Sequence, residues 1–450
     1  MYSLPLSVVL LAASTALSAQ TFTVLYNFQS NRPPRHPMNP GIIAQSRGGA
    51  MLSTSSDAGN GGTAWRIWPN GSLTVLGEFL ANDGGLTLAT DGRYYGTTKY
   101  SGASGHGSVY KVTQDGIVTT LHSFTGGADG ANPCAPPIQS VRGDFYGTTS
   151  AGGSLGYGTV YRITKYGTFT LLHTFNGSDG ADSEAPLVQG TDFYFYGTTV
   201  SGGSGAGGTI FRVNRSGDLK TLVNFNGTNG SNPYAGLIQA NDGNFYGVAS
   251  NGGSASDALG LGGVLFRMTP QGTLTILHNF TDHEDGAVPM GGLVQASDGN
   301  LYGTNLFGVY GSGSQLFRAS LTGAILPLHE LCDPRSSLLQ HTNGIIYGDD
   351  NQCGTEDSSG YFYSYDADLP PFVTYLPTYG RAGALVQILG QGFTSGSQVF
   401  FNGTPAASPS VVYPTYIRVA VPSGATTGPI TVTTMAGTLS SNKVFIVHPN

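Results

Sequence analysis

Residues 187–225, LVQGTDFYFYGTTVSGGSGAGGTIFRVNRSGDLKTLVNF, contain four strand-like phrases within one stretch of the 450-residue chain. The phrases are LVQ, FYGTTV, GTIFRV and LKTLVNF. They are rich in Val, Ile, Thr, Tyr and Phe and are separated by Gly, Asn and Asp, which is the pattern of short strands joined by tight turns. No helical periodicity interrupts them. The stretch therefore predicts a sheet of four antiparallel strands.

The same four phrases recur along the chain at intervals of roughly fifty residues. The clearest marker is Tyr-Gly-Thr-Thr and its variants, which begin at Tyr95, Tyr146, Tyr196, Tyr246, Tyr302 and Tyr347. A degenerate copy near Met51, which lacks the tyrosine, brings the number of copies to seven. A single four-stranded sheet cannot bury both faces and needs similar neighbours, so such a repeat is typical of propeller blades. The sequence predicts an all-β protein whose residues 20–366 form a seven-bladed β-propeller.

The fourth phrase is displaced by one repeat. One copy, TFTVLYNF at residues 21–28, precedes the first full repeat, and none follows the last. We therefore expect residues 21–28 to supply the outer strand of blade 7, with Val24, Leu25 and Phe28 buried. Such closure removes the open edges of the ring.

The repeat resembles the GloVer tandem-repeat family of secreted propellers. The resemblance is carried by LVQASDGNLYGT (293–304), GTVYRIT (158–164) and FTLLHTF (169–175), and it spans roughly residues 21–365. It implies a propeller outside the cytoplasm, and it implies no particular reaction, because the family is defined by its repeats.

The linker DADLPP, residues 366–371, breaks the repeat, and residues 367–450 contain about seven short alternating strands, which predicts an immunoglobulin-like β-sandwich. The segment resembles an IPT/TIG domain. The matching residues are Pro377, Gly380, Gly383, Ile388, Gly390, Phe393, Val399, Phe401, Gly403, Val421, Pro422, Gly428 and Ile430. Some relatives of such domains bind DNA, but this segment has only three basic residues, and the whole chain carries a net charge of -7. Nucleic acid is therefore not an expected partner.

The first residues predict export. Residues 4–19 form an apolar run that ends in Leu17-Ser18-Ala19, as a signal-peptidase site requires, so residues 1–19 are expected to be a signal peptide cleaved near Ala19. The run lacks a preceding Lys or Arg, and an uncleaved anchor is the alternative. No later stretch is long and apolar enough to span a membrane, and the expected location is secreted or extracytoplasmic.

Two sets of side chains are candidate special sites. Cys332 and Cys353 are predicted to fall on the same face of the last blade and to form a disulfide, which leaves Cys134 free. Four aspartates follow the outer strands in turns rich in glycine: Asp83, Asp129, Asp179 and Asp285, with Asn229 at the fifth such place. Turn formation explains them, and weak calcium binding is the alternative. His122, His173, His278 and His329 recur in the outer strand and are expected to pack structurally. No other cofactor is expected.

Function is the least determined property of the sequence. No convergent catalytic set stands out, which favours a non-enzymatic binding or scaffold protein whose loop-bearing face contacts a glycan, such as a polysaccharide, or a cell-surface protein. The alternative is an extracellular carbohydrate-active enzyme, a glycosidase or lyase, which would need two carboxylates near the ring axis. The departures from the repeat in the last blade supply its candidate residues, Asp349, Asp350, Glu356 and Asp357.

Overall fold

The computed structural model describes residues 20–29, 34, 42–57, 61–79, 84–254, 262–281, 285–307, 313–351 and 359–448. Within these ranges the protein is all-β, as predicted, and its strands form nine sheets. Seven sheets lie within residues 21–366 and two within residues 374–447. The predicted signal peptide, residues 1–19, lies outside the described residues.

The first seven sheets are numbered here in chain order, and each runs from an inner to an outer strand. Sheet 1 contains β2 (Ala44–Gln45), β3 (Met51–Asp57), β4 (Gly61–Ile67) and β5 (Leu73–Phe79); sheet 2 contains β6 (Thr87–Leu88), β7 (Tyr94–Thr98), β8 (Ser108–Val112) and β9 (Val118–Ser123). Sheet 3 contains β10 (Ile138–Gln139), β11 (Phe145–Thr149), β12 (Thr159–Ile163) and β13 (Phe169–Thr174); sheet 4 contains β14 (Val188–Gln189), β15 (Phe195–Thr199), β16 (Thr209–Val213) and β17 (Leu219–Asn224).

The remaining three sheets follow the same order with two additions. Sheet 5 contains β18 (Ile238–Gln239), β19 (Phe245–Ala249), β20 (Val264–Met268) and β21 (Leu274–Asn279). Sheet 6 contains β23 (Val294–Gln295), β24 (Leu301–Phe307), β25 (Ser314–Ala319) and β26 (Ile325–Leu331), and an extra strand, β22 (Ala287–Pro289), also pairs with β24. Sheet 7 contains β27 (Leu339–Gln340), β28 (Ile346–Asp350), β29 (Tyr361–Asp366) and the N-terminal β1 (Thr21–Asn27).

Neighbouring sheets bury each other's faces through aromatic side chains. All five residues of β15 are buried, because a sheet lies against each side of it. The tyrosine of the Tyr-Gly-Thr-Thr phrase stacks on the aromatic residue that begins the second strand of the next sheet, as Tyr146 does on Phe195 with 3.9 Å between ring centroids. Tyr95 and Phe145 repeat the contact at 3.7 Å. The recurring aromatic residues of the sequence are therefore the contacts between sheets.

A glutamine on the inner strand, here called the clasp glutamine, joins six of the seven sheets to the sheet before it. Its side-chain oxygen accepts a hydrogen bond from a backbone N–H in the preceding sheet. At six junctions the pairs are Thr90 with Gln139, Val141 with Gln189, Thr191 with Gln239, Asn241 with Gln295, Ser297 with Gln340 and Thr342 with Gln45, at 2.8 to 3.0 Å. The last pair joins sheet 7 to sheet 1.

The N-terminal strand is the outer strand of sheet 7. Strand β1 pairs antiparallel with β29 from Thr21 to Asn27. Phe28 is buried and packs against Trp65 of sheet 1, with ring centroids 5.6 Å apart. The expectation that Val24 is buried is wrong, because this side chain is 42% exposed. An outermost strand has a neighbour on one edge only, and its register shifts between Val24 and Tyr26.

The C-terminal strands form two sheets around a separate core. One sheet contains β30 (Thr374–Leu376), β32 (Leu385–Leu389), β36 (Tyr416–Ala420) and β35 (Ser410–Tyr413). The other contains β31 (Tyr379–Gly380), β38 (Gly437–Val447), β37 (Gly428–Thr434), β33 (Gln398–Phe401) and β34 (Thr404–Pro405). The core between them includes Val386, Ile388, Phe401 and Phe445. The segment thus has nine strands, where about seven were expected; two of the nine, β31 and β34, are only two residues long.

The C-terminal segment packs on the turns that join the first and second strands of the ring sheets. Thr415 donates a hydrogen bond to the carbonyl of Arg47 at 2.6 Å, and Gln391 donates one to the hydroxyl of Thr342 at 2.8 Å. Asn241 donates to the carbonyl of Asn442 at 2.5 Å. The C-terminal segment therefore contacts sheets 1, 5 and 7.

Phe193 shows how this contact alters the repeat. In six sheets the corresponding turn residue is glycine with a φ of 82° to 97°: Gly49, Gly92, Gly143, Gly243, Gly299 and Gly344. In sheet 4 it is Phe193, with a φ of 67°, a conformation that is strained for a bulky side chain. The Phe193 ring packs edge-on against Tyr379 of the C-terminal segment at 5.3 Å. The contact between the two parts of the chain offsets the local strain.

Candidate functional site

Three of the four candidate aspartates of the turns pair with histidines of their own sheets. His122 pairs with Asp129 at 3.1 Å and His173 with Asp179 at 2.9 Å, and His278 pairs in the same way with Asp285. The repeat pattern showed the recurring histidines and the recurring aspartates, but not that they pair. Their spacing of six or seven residues in each repeat was the signal that could have predicted the pairs.

The same carboxylates also cap the turn that follows the outer strand. Asp129 accepts the backbone N–H of Thr125 at 3.1 Å, and Asp179 accepts that of Asn176 at 2.9 Å. Burial alone would raise the pKa of Asp129, but the hydrogen bonds from Thr125 and His122 hold that pKa below its usual value. Turn formation therefore uses these oxygens, as the sequence predicted.

Calcium binding at these turns stays an untested alternative. Asp83 lies outside the described residues, and Asn229 takes the aspartate's place after the outer strand of sheet 4, where it accepts the N–H of Asn226 at 2.9 Å. Over the part of the chain that the structure describes, no group of three or more His, Cys, Asp and Glu side chains is arranged to hold a metal ion.

The acidic pair of sheet 7 is buried. Asp350 accepts the backbone N–H groups of Cys332 at 2.7 Å and Asp333 at 2.9 Å, and Asp349 accepts the hydroxyl of Ser336. Burial, together with the charge of Asp350, raises the pKa of Asp349 to about 7. The other two predicted residues, Glu356 and Asp357, lie outside the described residues. Asp349 and Asp350 occupy the places of the two threonines in Tyr-Gly-Thr-Thr, and their described contacts are structural.

Two of the three cysteines lie in the described part of the chain. Cys332 is disulfide-bonded, and Cys134 is a buried thiol outside any disulfide. Cys353 lies outside the described residues, so its pairing with Cys332 stays a prediction.

A cleft between the first seven sheets and the C-terminal segment is lined by polar and aromatic residues that lie far apart in the sequence. It consists of two adjoining cavities of about 350 and 420 Å³, both lined by Gln114 and Tyr413. We call it the arginine cleft, because Arg47 and Arg66 of sheet 1 and Arg418 of β36 line it.

The lining of the arginine cleft is positively charged. Its one carboxylate among the lining residues is Asp91, which already accepts hydrogen bonds from the Arg93 backbone N–H at 3.0 Å and the Tyr95 hydroxyl at 3.0 Å. The chain as a whole has more acidic than basic residues, 26 against 19. Three guanidinium groups at one cleft of such a chain form a local positive potential that attracts anions.

Arg47 owes its position to a defect in the repeat. At the junction of sheets 1 and 2, Leu88 stands where the other sheets have the clasp glutamine, since Leu88 pairs with Tyr94 as Gln139 pairs with Phe145. Arg47 joins the sheets instead, donating to the carbonyl of Thr90 at 2.9 Å. It also donates to Gln387 of β32 at 2.6 Å and lies 4.9 Å from the centre of the Tyr416 ring.

Aromatic side chains form the walls of the arginine cleft. The Arg66 guanidinium lies 5.8 Å from the ring centre of Trp68, and Tyr413 is 45% exposed at the entrance. Tyr94 is buried at the base, and burial raises the pKa of its hydroxyl to about 12. That hydroxyl lies beside Ser46 and Gln114, but among the described residues it has no hydrogen bond of good geometry. The cleft thus offers guanidinium donors beside flat ring faces.

A known family of sequence repeats matches most of the chain. The sequence model of the Gloeobacter/Verrucomicrobia repeat matches residues 14–193, 82–317 and 136–363, which together span most of the chain. No curated protein sequence matches the chain.

Solved structures show a likeness of fold. A fungal alcohol oxidase of the AA5 family, solved in complex with copper, is 14% identical with a TM-score of 0.51, and the match covers 92% of this chain and 98% of the other. A gluconolactonase from Xanthomonas campestris is 14% identical with a TM-score of 0.41, covering 75% of this chain and 99% of the other. At these identities the likeness concerns the fold alone, which is all-β and propeller-like. Among the described residues no helix could cross a membrane.

Proposed function

The chain belongs to the Gloeobacter/Verrucomicrobia repeat family, and from this premise we propose that it is an exported binding protein in which seven blades form a closed β-propeller. Residues 1–19 act as the signal peptide, and residues 367–450 form an IPT/TIG-like sandwich. The six glutamine clasps and the pairing of β1 with β29 support the closed ring. The two-sheet packing of the C-terminal strands supports the sandwich.

We further propose that the arginine cleft binds an acidic polysaccharide through one of its sugar residues. The observation that carries this proposal is the convergence of Arg47, Arg66 and Arg418 on a cleft whose single carboxylate is already occupied. A guanidinium group pairs with a sugar carboxylate or sulfate in a bidentate geometry. The exposed ring of Tyr413 and the indole of Trp68 offer flat apolar faces to the sugar ring.

The size and location of the cleft fit this ligand. The two cavities are each within the range of about 300–1,000 Å³ that small-ligand sites occupy. The cleft is open to solvent, as a site for an internal residue of a long polymer must be, and Arg418 at its edge is exposed.

Affinity electrophoresis and calorimetry with the full chain test the proposal. Polygalacturonate and alginate are the acidic probes, and pullulan is the neutral one. We expect binding to the acidic polymers that weakens as salt is added, because exposed charge pairs are screened. Arg418→Gln and Tyr413→Ala should each weaken binding about tenfold, the equivalent of about 1.4 kcal/mol.

Lys220→Gln is the matched control, because Lys220 is an exposed cation on β17 outside the lining of the arginine cleft. It should leave the affinity unchanged. Absence of binding to every acidic polymer, or equal losses in Arg418→Gln and Lys220→Gln, would contradict the assignment of the cleft.

A second candidate function is a carbohydrate-active enzyme, and Asp182, Glu184 and Tyr234 favour it. They lie in the loops that precede the inner strands of sheets 4 and 5. Burial raises the pKa of Asp182, which the charge of Lys99 partly lowers, and burial together with the charges of Glu184 and Asp182 raises the pKa of Tyr234. The charges of both carboxylates act on Tyr234, and two carboxylates in different environments can divide acid and base roles. Release of reducing sugar or unsaturated product, lost in Glu184→Gln, would establish this function.

A further inference from the structure

A second cavity between the ring and the C-terminal segment surrounds Lys443. It has a volume of about 200 Å³ and lies on the turns of sheets 3, 4 and 5, away from the arginine cleft. The side chains of Val188, Ile238, Phe193, Tyr379 and Ile446 line it together with Lys443. Its wall is therefore mainly apolar, with one cation.

The strand segment that carries Lys443 is fixed to both parts of the molecule. The backbone carbonyl of Lys443 accepts hydrogen bonds from the hydroxyls of Tyr375 at 2.9 Å and Ser441 at 2.6 Å. The preceding residue, Asn442, accepts the amide of Asn241 in sheet 5. The position of the lysine in the cavity is thus built by the docking of the two parts.

The charge of Lys443 has no counterpart in this cavity. No Asp or Glu is among its lining residues, and within the described part of the chain Lys443 forms no ion pair. The glutamine amides of the wall are already used, since the side-chain oxygen of Gln189 accepts the N–H of Val141 and its amide donates to the carbonyl of Phe193. Lys443 is an exposed residue, although the protein packed around it lowers its pKa. An ammonium group at the edge of an apolar wall binds a carboxylate through a charge-assisted hydrogen bond.

We propose that this cavity binds a small monocarboxylate with an apolar body. The carboxylate pairs with the Lys443 Nζ, and the apolar body contacts Val188 and Ile238. The volume lies below the roughly 300 Å³ at which sites for drug-sized ligands begin, which limits the ligand to a single ring or a short chain. The site is independent of the arginine cleft, and the absence of a carboxylate in its wall selects an anion over a cation.

Binding of benzoate and hexanoate to the full chain, measured by saturation-transfer NMR and calorimetry, tests the proposal. Both anions should bind, and their neutral amides, benzamide and hexanamide, should bind at least tenfold more weakly. Lys443→Met should weaken benzoate binding at least tenfold, whereas Lys443→Arg should retain most of it, because the cation remains. Lys220→Met and Arg418→Gln are controls that should leave benzoate binding unchanged.

Chemical labelling gives a second measurement that does not depend on a variant. Reductive methylation of the folded wild-type protein, followed by mass spectrometry, should modify Lys443 more slowly in the presence of benzoate, while Lys220 is modified at the same rate. The proposal is overturned if benzoate fails to bind, if benzamide binds equally well, or if Lys443 is not protected. Loss of benzoate binding in Arg418→Gln with none in Lys443→Met would assign the anion to the arginine cleft instead.

Discussion

Replacing Gln45 with leucine should weaken the junction between sheets 7 and 1. Gln45 is buried, its side-chain oxygen accepts the N–H of Thr342 at 3.0 Å, and its amide donates to the Thr342 hydroxyl at 2.8 Å. The matched variant is Gln239→Leu at the junction of sheets 4 and 5. There the same oxygen accepts the N–H of Thr191 at 2.9 Å, but Thr191 is exposed. Leucine is the natural choice because Leu88 occupies this place in sheet 2.

The two variants should differ because water can reach only one of the donors left behind. In Gln45→Leu the N–H of Thr342 stays buried without a partner, which costs about 1–3 kcal/mol. In Gln239→Leu the N–H of Thr191 can bind water, and the loss is about 0.5–1.5 kcal/mol. The free energy of unfolding should therefore fall by about 1 kcal/mol more in Gln45→Leu. The Thr342 hydroxyl keeps Gln391 as a partner in both proteins.

Urea unfolding followed by tryptophan fluorescence measures the difference, and Trp65 reports on sheet 1 directly because it packs against Phe28 and Phe362. The midpoint for Gln45→Leu should be the lower of the two, at an unchanged slope if the ring still unfolds as one unit. Equal midpoints, or a larger loss in Gln239→Leu, would refute the argument that the buried closure at sheets 7 and 1 depends on this clasp.

Three further changes have expected outcomes. Phe193→Ala should be about 1 kcal/mol less stable than Phe193→Gly, because both variants lose the contact with Tyr379 but only alanine keeps a side chain at positive φ. Thermal melting of the two variants measures the difference, and a more stable alanine variant would contradict the argument that Phe193 is strained. Asp349→Asn should flatten the pH dependence of unfolding. The pKa of Asp349 is raised to about 7 in the folded protein, so between about pH 4 and 7 the native carboxyl keeps a proton that the unfolded chain has lost, and its contribution to stability falls as pH rises through this window. Urea midpoints at pH 5 and pH 8 should therefore differ more in the wild type than in the variant. Deleting residues 21–28 removes β1 and the buried Phe28, and calorimetry should show a broader transition at lower temperature, whereas an unchanged transition would deny β1 its closing role.

The sheets could be predicted from the sequence because the same local pattern of strands and turns recurs in every repeat. The phrase beginning at Tyr196 fixes a strand, its turns and its buried faces, and the copies at Tyr95 and Tyr302 remove the ambiguity of any one of them. Even the pairing of β1 followed from a phase shift in the repeat. Side-chain contacts were harder to predict. The recurring histidines and aspartates were both noticed, yet their pairing needs the turn geometry that brings His173 and Asp179 to 2.9 Å.

The arginine cleft could not be predicted in this way, because no periodic pattern describes how two unlike units dock. Arg66 recurs in the third strand of most repeats and looks like a surface cation in the sequence. Arg418 lies in a different domain by composition. Only the structure shows that both arginines line one cleft with Arg47. Arg47 itself donates a hydrogen bond to Gln387, which lies 340 residues later in the sequence.

The places where a repeat departs from its own pattern are the informative ones in this protein. Leu88 takes the place of the clasp glutamine and cannot form its hydrogen bond. Arg47 instead joins sheets 1 and 2 and also contacts the C-terminal segment. Phe193 replaces a turn glycine at a local cost of about 1–3 kcal/mol, and its ring contacts Tyr379. A position that serves only the ring has the same environment in every sheet and keeps the same residue type. A departure that strains or unpairs its own sheet persists only when another contact offsets the cost. Both departures lie on the face that meets the C-terminal segment, so that face, with the arginine cleft and the Lys443 cavity, is where binding should be sought first.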